Sequence, residues 1–115
     1  MSTKVQSSLA RKSPAAASVF AALGDPTRLA MVVRLSGGSR CSIAELTEGA
    51  MLTRQAITKH LRVLENARLV SSQRAGRENR FALNPKPLEE ISAYIKLVSG
   101  HWDRSLSRLK SFVER

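Results

Sequence analysis

Residues 52–64, Leu-Thr-Arg-Gln-Ala-Ile-Thr-Lys-His-Leu-Arg-Val-Leu, constrain the fold more than any other stretch of the chain. Thr53 has the side-chain oxygen that an N-cap needs, and Leu52 with Ile57 can bracket the first turn as a hydrophobic staple. Ile57, Leu61 and Leu64 recur at i, i+4 and i+7, the spacing of one buried helix stripe. At about 100° per residue, Arg54, Gln55, Thr58, Lys59 and Arg62 gather within an arc of roughly 140° on another side. That side carries positive charge, an amide and a hydroxyl, and no carboxylate. Such a set complements phosphate oxygens and the acceptor-rich base edges of a major groove. A solvated helix face has the same residue types, so the neighbouring segments decide.

The charge balance points the same way. Nineteen basic against nine acidic residues leave a formal charge of +10 on 115 residues, as in chains with a polyanionic partner. Within residues 53–86, Arg54, Lys59, Arg62, Arg68, Arg74, Arg77, Arg80 and Lys86 oppose only Glu65 and Glu78, a local net of +6. A ribosomal or membrane-surface protein shares that bulk charge, so the balance alone selects no partner. A hydrophobic share of 43% argues against global disorder, and the length allows one ordinary domain or a small protomer that completes its core by pairing. With Phe20, Phe81, Phe112, Tyr94 and Trp102 as the aromatics, the core has to be built from Leu, Ile, Val and Ala. The single cysteine excludes an internal disulfide and any paired-cysteine zinc motif, and fits a reducing, cytosolic setting. No stretch approaches the ~20 apolar residues of a membrane span.

Residues 1–13 are polar and basic without periodicity and are expected to form a mobile arm, leaving 14–115 as the folded DNA-binding and dimerisation domain. Lys4, Arg11 and Lys12 ahead of the Ala-rich run imitate a signal peptide, but the apolar stripe is too short and weak for export. An Ala-rich helix capped by Ser13, with Pro14 at its first position and Val19, Phe20 and Leu23 as its stripe, is the better reading. Gly24 ends it. Asp25-Pro26 opens the next helix, which buries Leu29, Val32, Val33 and Leu35 before Gly37-Gly38 stops it. Ser42-Ile43-Ala44-Glu45 is a capping box ahead of a short helix burying Ile43 and Leu46. Gly49-Ala50-Met51 then turns the chain into residues 53–64. Two short helices joined by a tight turn, the second basic outside, make a helix-turn-helix.

Beyond Leu64 the pattern becomes extended. Residues 69–74 and 79–83 read as strands joined by Ala75-Gly76-Arg77-Glu78, with Phe81 and Leu83 alternating toward a core. Arg74, Arg77 and Arg80 line this two-stranded hairpin, which beside a basic helix is a wing. Asn84-Pro85-Lys86-Pro87 breaks the strand. Leu88, Ile91, Ile95, Val98 and Trp102 follow 3-4-3-4 spacing, and Leu109 and Phe112 resume it beside Leu106, a seam close to 40 Å long at about 1.5 Å per residue. Gly100 is its weak point. The rest of the chain is too small to cover such a helix, so it is expected to pack on its copy, helped by the Ala-rich first helix. The fold class is mainly α with a two-stranded wing. The expected dimer interface is Val19, Phe20, Leu88, Ile91, Ile95, Val98, Trp102 and Leu109.

These segments, in this order, resemble the ArsR/SmtB family of winged-helix repressors. The likeness is carried by Phe20-Ala21-Ala22-Leu23-Gly24-Asp25-Pro26-Thr27-Arg28-Leu29, by residues 57–64, by Ala67-Arg68-Leu69-Val70 and by Gly76-Arg77-Glu78-Asn79-Arg80-Phe81. The ending, Trp102-Asp103 with Leu106 and Leu109, is most similar to the metal-independent, autorepressor-like branch. The resemblance implies a homodimeric repressor of double-stranded DNA operators, acting on promoters that include its own. One position departs from the family. Where Gly commonly precedes Leu-Val this chain has Arg68, which has to bear φ > 0 or avoid it.

Rival chemistry is thinly supplied. Arsenic- and cadmium-type sensing needs a Cys-x-Cys cluster, whereas Arg40-Cys41-Ser42 offers one thiol. Zinc-type sensing pairs carboxylate and His ligands, and His101 and Asp103, two residues apart, point to different faces. No metal and no cofactor are therefore expected. Cys41 alone leaves a redox-responsive repressor as an alternative, and a protein-interaction winged helix is another. His60 reads as a hydrogen-bonding residue at the helix–sheet junction. No catalytic constellation is present, so the chain is not expected to be an enzyme. For DNA, Thr53 is assigned to a phosphate at the helix N-terminus, Arg54, Gln55, Thr58 and Lys59 to base edges, Arg62 to a phosphate, and Arg74, Arg77 and Arg80 to the backbone or minor groove.

Overall fold

Caps and prolines set most of the element boundaries in the computed structural model, which describes residues 3–114. The order is α1 (Thr3–Leu23), α2 (Pro26–Leu35), β1 (Cys41–Ser42), α3 (Ile43–Thr47), α4 (Arg54–Asn66), β2 (Val70–Ala75), β3 (Glu78–Leu83) and α5 (Lys86–Val113). Asp25 caps α2 by accepting from the Arg28 amide at 3.0 Å. Ser42 and Glu45 close the capping box of α3 from both sides. Thr53 caps α4, its hydroxyl accepting from the Ala56 amide at 3.1 Å.

The expected arm is corrected: residues 3–13 belong to α1, which passes unbroken through Pro14. Proline removes one backbone donor, and the Ser13 hydroxyl donates to the Leu9 carbonyl at 2.6 Å in the same turn. Ser13 is thus an interior residue and not an N-cap. Its single proton goes to Leu9, so the Tyr94 hydroxyl donates to Ser13 across a 3.0 Å gap and ties α1 to α5. Tyr94 also meets Phe20, ring centroids 6.3 Å apart.

The wing also differs from expectation, being part of a three-stranded antiparallel sheet in the order β1-β3-β2. Cys41 pairs with Phe81 on one side of the central strand, and Ser72 pairs with Phe81 on the other. Two residues carry no readable alternation, so β1 exists only through this pairing. The hairpin turns at Gly76, whose φ of 65° suits the first position of a tight two-residue loop.

The core collects Leu35, Ile57, Leu61, Leu64 and Leu69 at its centre, with Met31, Val32, Leu46, Val70 and Phe81 around them. Each such aliphatic side chain contributes about 1.5–3 kcal/mol of burial. On α2 the inward residues are Met31, Val32 and Leu35, while Leu29 and Val33 are exposed, correcting two expected core positions. Ala16, Val19, Ala22 and Ile91 complete the core from α1 and α5. Val19 and Ile91, 6% and 8% exposed, are interior residues of the single chain and not free seam positions, and Leu88 packs partly with them.

α5 runs through Gly100 as one helix of 28 residues, about 42 Å long. The radius of gyration is 18.8 Å, against about 13 Å for a compact chain of this length. Extents of 67 × 26 × 22 Å match a small domain with a projecting helix. No single helix is long and apolar enough to cross a membrane.

Candidate nucleic-acid interface

The buried stripe Ile57, Leu61 and Leu64 fixes the rotation of α4, and its opposite side faces out. Thr53, Arg54, Gln55, Lys59 and Arg62 are exposed and Thr58 is half-buried, so the arc drawn from periodicity stands together on one face. Among the described residues, no hydrogen bond or ion pair engages the Arg54, Gln55, Lys59 or Arg62 side chains. The two hydroxyls are less free. Thr53 caps the helix, and Thr58 donates to the Arg54 carbonyl at 2.8 Å, which leaves it only acceptor capacity.

On the wing, Arg77 at the tip is exposed. Arg74 curls back, its Nε donating to the Gly76 carbonyl at 3.2 Å, and Arg80 stands 3.8 Å from the Glu78 carboxylate. Arg40 joins them, an addition not foreseen from sequence: its guanidinium donates to the Gln73 side chain on β2. Its only signal would have been the pairing of β1, which brings residue 40 to the sheet.

Behind α4, Arg28 works as a fork. Its Nε donates to the Ala22 carbonyl at 2.6 Å and its Nη2 to the Ala21 carbonyl at 3.3 Å. Its Nη1 lies 3.2 Å from His60 Nδ1, and since guanidinium only donates, that nitrogen accepts. One side chain therefore joins the end of α1, the start of α2 and the middle of α4. Asp25 Oδ2 lies 3.9 Å from the same ring nitrogen. The Arg28 amide holds the Asp25 carboxyl below the usual carboxylate range, and the Thr27 amide and the Arg28 charge act in the same direction. His60, read from sequence as a hydrogen-bonding residue, is thus held by an arginine.

Cys41 is buried in β1, its thiol 4.0 Å from the Ser39 carbonyl. His101 is half-buried on α5 with Nδ1 unpaired. Among the described residues, no group of three or more His, Cys, Asp or Glu could hold a metal ion. Of the remaining seam, Phe20, Ile95, Val98, Trp102 and Leu109 are exposed, as are Leu106 and Phe112, with Trp102 at 62% and Phe112 at 71%.

Residues 25–72 match the family model described as bacterial regulatory protein, arsR family. An uncharacterised HTH-type transcriptional regulator of Bacillus subtilis, YuzN, is 40% identical over 64% of this chain and 86% of its own length. The chain belongs to the ArsR family. The HTH-type transcriptional regulator Rv2034 of Mycobacterium tuberculosis is 32% identical over 81% of this chain and 83% of that protein. Among solved structures, an ArsR-like transcriptional regulator from Rhodococcus superposes with a TM-score of 0.77 at 35% identity, covering 86% of this chain and 92% of that one. The ArsR match makes the molecule a winged helix-turn-helix transcriptional regulator, of a family that binds double-stranded DNA, and not an enzyme.

Proposed function

We propose that this ArsR-family regulator represses transcription as a homodimer on an imperfect palindrome, with α4 of each protomer in a major groove and the wing on the flanking strand or minor groove. The unpartnered face of α4 carries this reading. Arg54, Lys59 and Arg62 gather on one outward surface without a carboxylate to neutralise them, and a polyphosphate strand relieves that repulsion. Thr53, Gln55 and Thr58 share the face, and Arg74, Arg77 and Arg80 put further cations on the wing. Base reading falls to the α4 residues near its N-terminus, and Arg62, a turn further on, suits a phosphate.

Pairing is supported by the apolar surface that one chain leaves in water. Ile95, Val98, Trp102 and Leu109 on α5 and Phe20 on α1 are exposed, more than isolated surface apolar residues account for. Covering them with a second copy sets two recognition helices one duplex turn apart, about 34–36 Å, or a multiple of it. Release by a metal is not part of the proposal, because Cys41 is a lone buried thiol and His101 and Asp103 diverge on α5. A mobility-shift assay on the gene's own upstream region, with and without chelator and reductant, tests it. Retardation that falls linearly in log–log terms with salt and ignores chelator is expected. A salt-independent response would instead point to a protein partner and sink the proposal.

A further inference from the structure

We infer that the notch between α4 and the wing tip seats one phosphodiester of the strand separating the two grooves, and that Arg54 and Arg77 clamp that phosphate together. This rests on the DNA-binding reading above. A protein with one element in a major groove and another on the adjacent minor groove has to straddle the sugar–phosphate strand between them. In this molecule the gap between those elements is a cleft of ≈ 210 Å³, and Arg54, Arg77, Asn79, Glu78 and Ser42 are among the residues lining it. The two guanidinium groups come from different elements, the first residue of α4 and the loop of the hairpin. Both are exposed and, among the described residues, neither has a partner.

Of the other polar groups at the cleft, Glu78 and Ser42 are already engaged. Glu78 stands by Arg80 at 3.8 Å, and the Ser42 hydroxyl donates to Glu45 at 3.2 Å. What remains is a pair of cations, with the Asn79 amide beside them, around a space open to an anion. Gln55 and Lys59 do not line it. Base discrimination is therefore theirs, and Arg54 leaves the set of base readers for the backbone.

The test uses a duplex selected from a random library by the full-length protein, a scrambled duplex of the same composition, and anisotropy titrations across salt. Arg54→Ala and Arg77→Ala should each weaken both duplexes by the same factor. The double variant should lower the log–log salt slope by about one, so that the affinity lost between ~50 and ~200 mM salt shrinks by ~3-fold. Arg54→Lys, which keeps the charge, should preserve the slope. Weakening of the selected duplex alone by Arg54→Ala would overturn the clamp, as would a double-variant slope lower by about two, which means separate phosphates. If the wild type binds neither duplex in a salt-dependent way, the DNA-binding reading itself has failed, and the clamp fails with it.

Discussion

Arg68 shows how one residue can stand against its own conformational preference. It sits at φ 61°, directly after the last turn of α4. Its amide donates to the Glu65 carbonyl at 2.9 Å and the Leu69 amide to the Leu64 carbonyl at 2.9 Å, the two bonds of a Schellman cap. Asn84 locks the turn from outside, with Nδ2 donating to the Arg68 carbonyl at 3.0 Å and its own amide to the Leu69 carbonyl at 2.8 Å. The cap is retained because Leu64 and Leu69, both fully buried, pack across it. Arg68→Gly should release strain of about 1–2 kcal/mol and add unfolded-state freedom, for a net gain of about 0.5–1 kcal/mol. Thermal unfolding would check this as a rise of a few degrees; a fall would mean that the arginine side chain matters more than its backbone. Asp25 gives a pH prediction. Its folded pKa lies below its ordinary value, so its contribution is present at neutral pH and is lost as pH falls through the acid range. Melting from about pH 5 to about pH 3 should weaken the wild type more than Asp25→Asn, which caps as well without titrating. Equal losses in the two proteins would remove Asp25 from the acid response.

Among the elements, α4 is the most legible from sequence. Its cap, stripe and outward face all stand as periodicity places them, because each depends on residues within a turn or two of one another. Side-chain engagement within the face is less legible. The Thr58 proton is taken by the Arg54 carbonyl, so Gln55 and Lys59 are the donors proposed for base edges. Gln55→Ala should reduce discrimination between selected and random duplex by ~1–3 kcal/mol while leaving the salt slope unchanged. Competition titrations would reveal it, and an equal loss on both duplexes would make Gln55 a backbone contact. The sheet was only half legible. Phe81 and Leu83 alternate on β3 and the hairpin turns at a glycine, but β1 is two residues that owe their extended state to Phe81 and Arg80.

At the level of the whole molecule, the long C-terminal seam divides by depth. Its first turns, Leu88 and Ile91, join Val19 in the chain's own core, and Ile95 onward remains in water. The seam is therefore two surfaces of different burial. Ile95→Glu places a charge on the outer surface, and should leave the monomer folded while abolishing dimerisation and tight operator binding. Sedimentation would decide it. A variant that remains a stable dimer moves the interface elsewhere. Arg28 belongs to this scale too, because it links α1, which borders that surface, to the recognition helix through His60. Arg28→Ala should lower stability by about 1–3 kcal/mol, since His60 and two helix-end carbonyls lose their donor together. Chemical denaturation measures it, and an unchanged midpoint would show the fork to be incidental.

The sequence alone determined the helix-turn-helix, its caps and its cationic face, and through the order of its motifs the family. Those features rest on interactions among near neighbours, whose geometry follows from φ, ψ and a period of 3.6. Only the tertiary structure decided that α1 reaches back to Thr3, that a third strand joins the wing, and that the first turns of the seam are interior. It alone brought Arg54 and Arg77 to one cleft. In each case the deciding partner lies on another element: Tyr94 for Ser13, Phe81 for Cys41, Val19 for Ile91. A local pattern cannot register a contact whose energy is realised only after the chain has closed on itself.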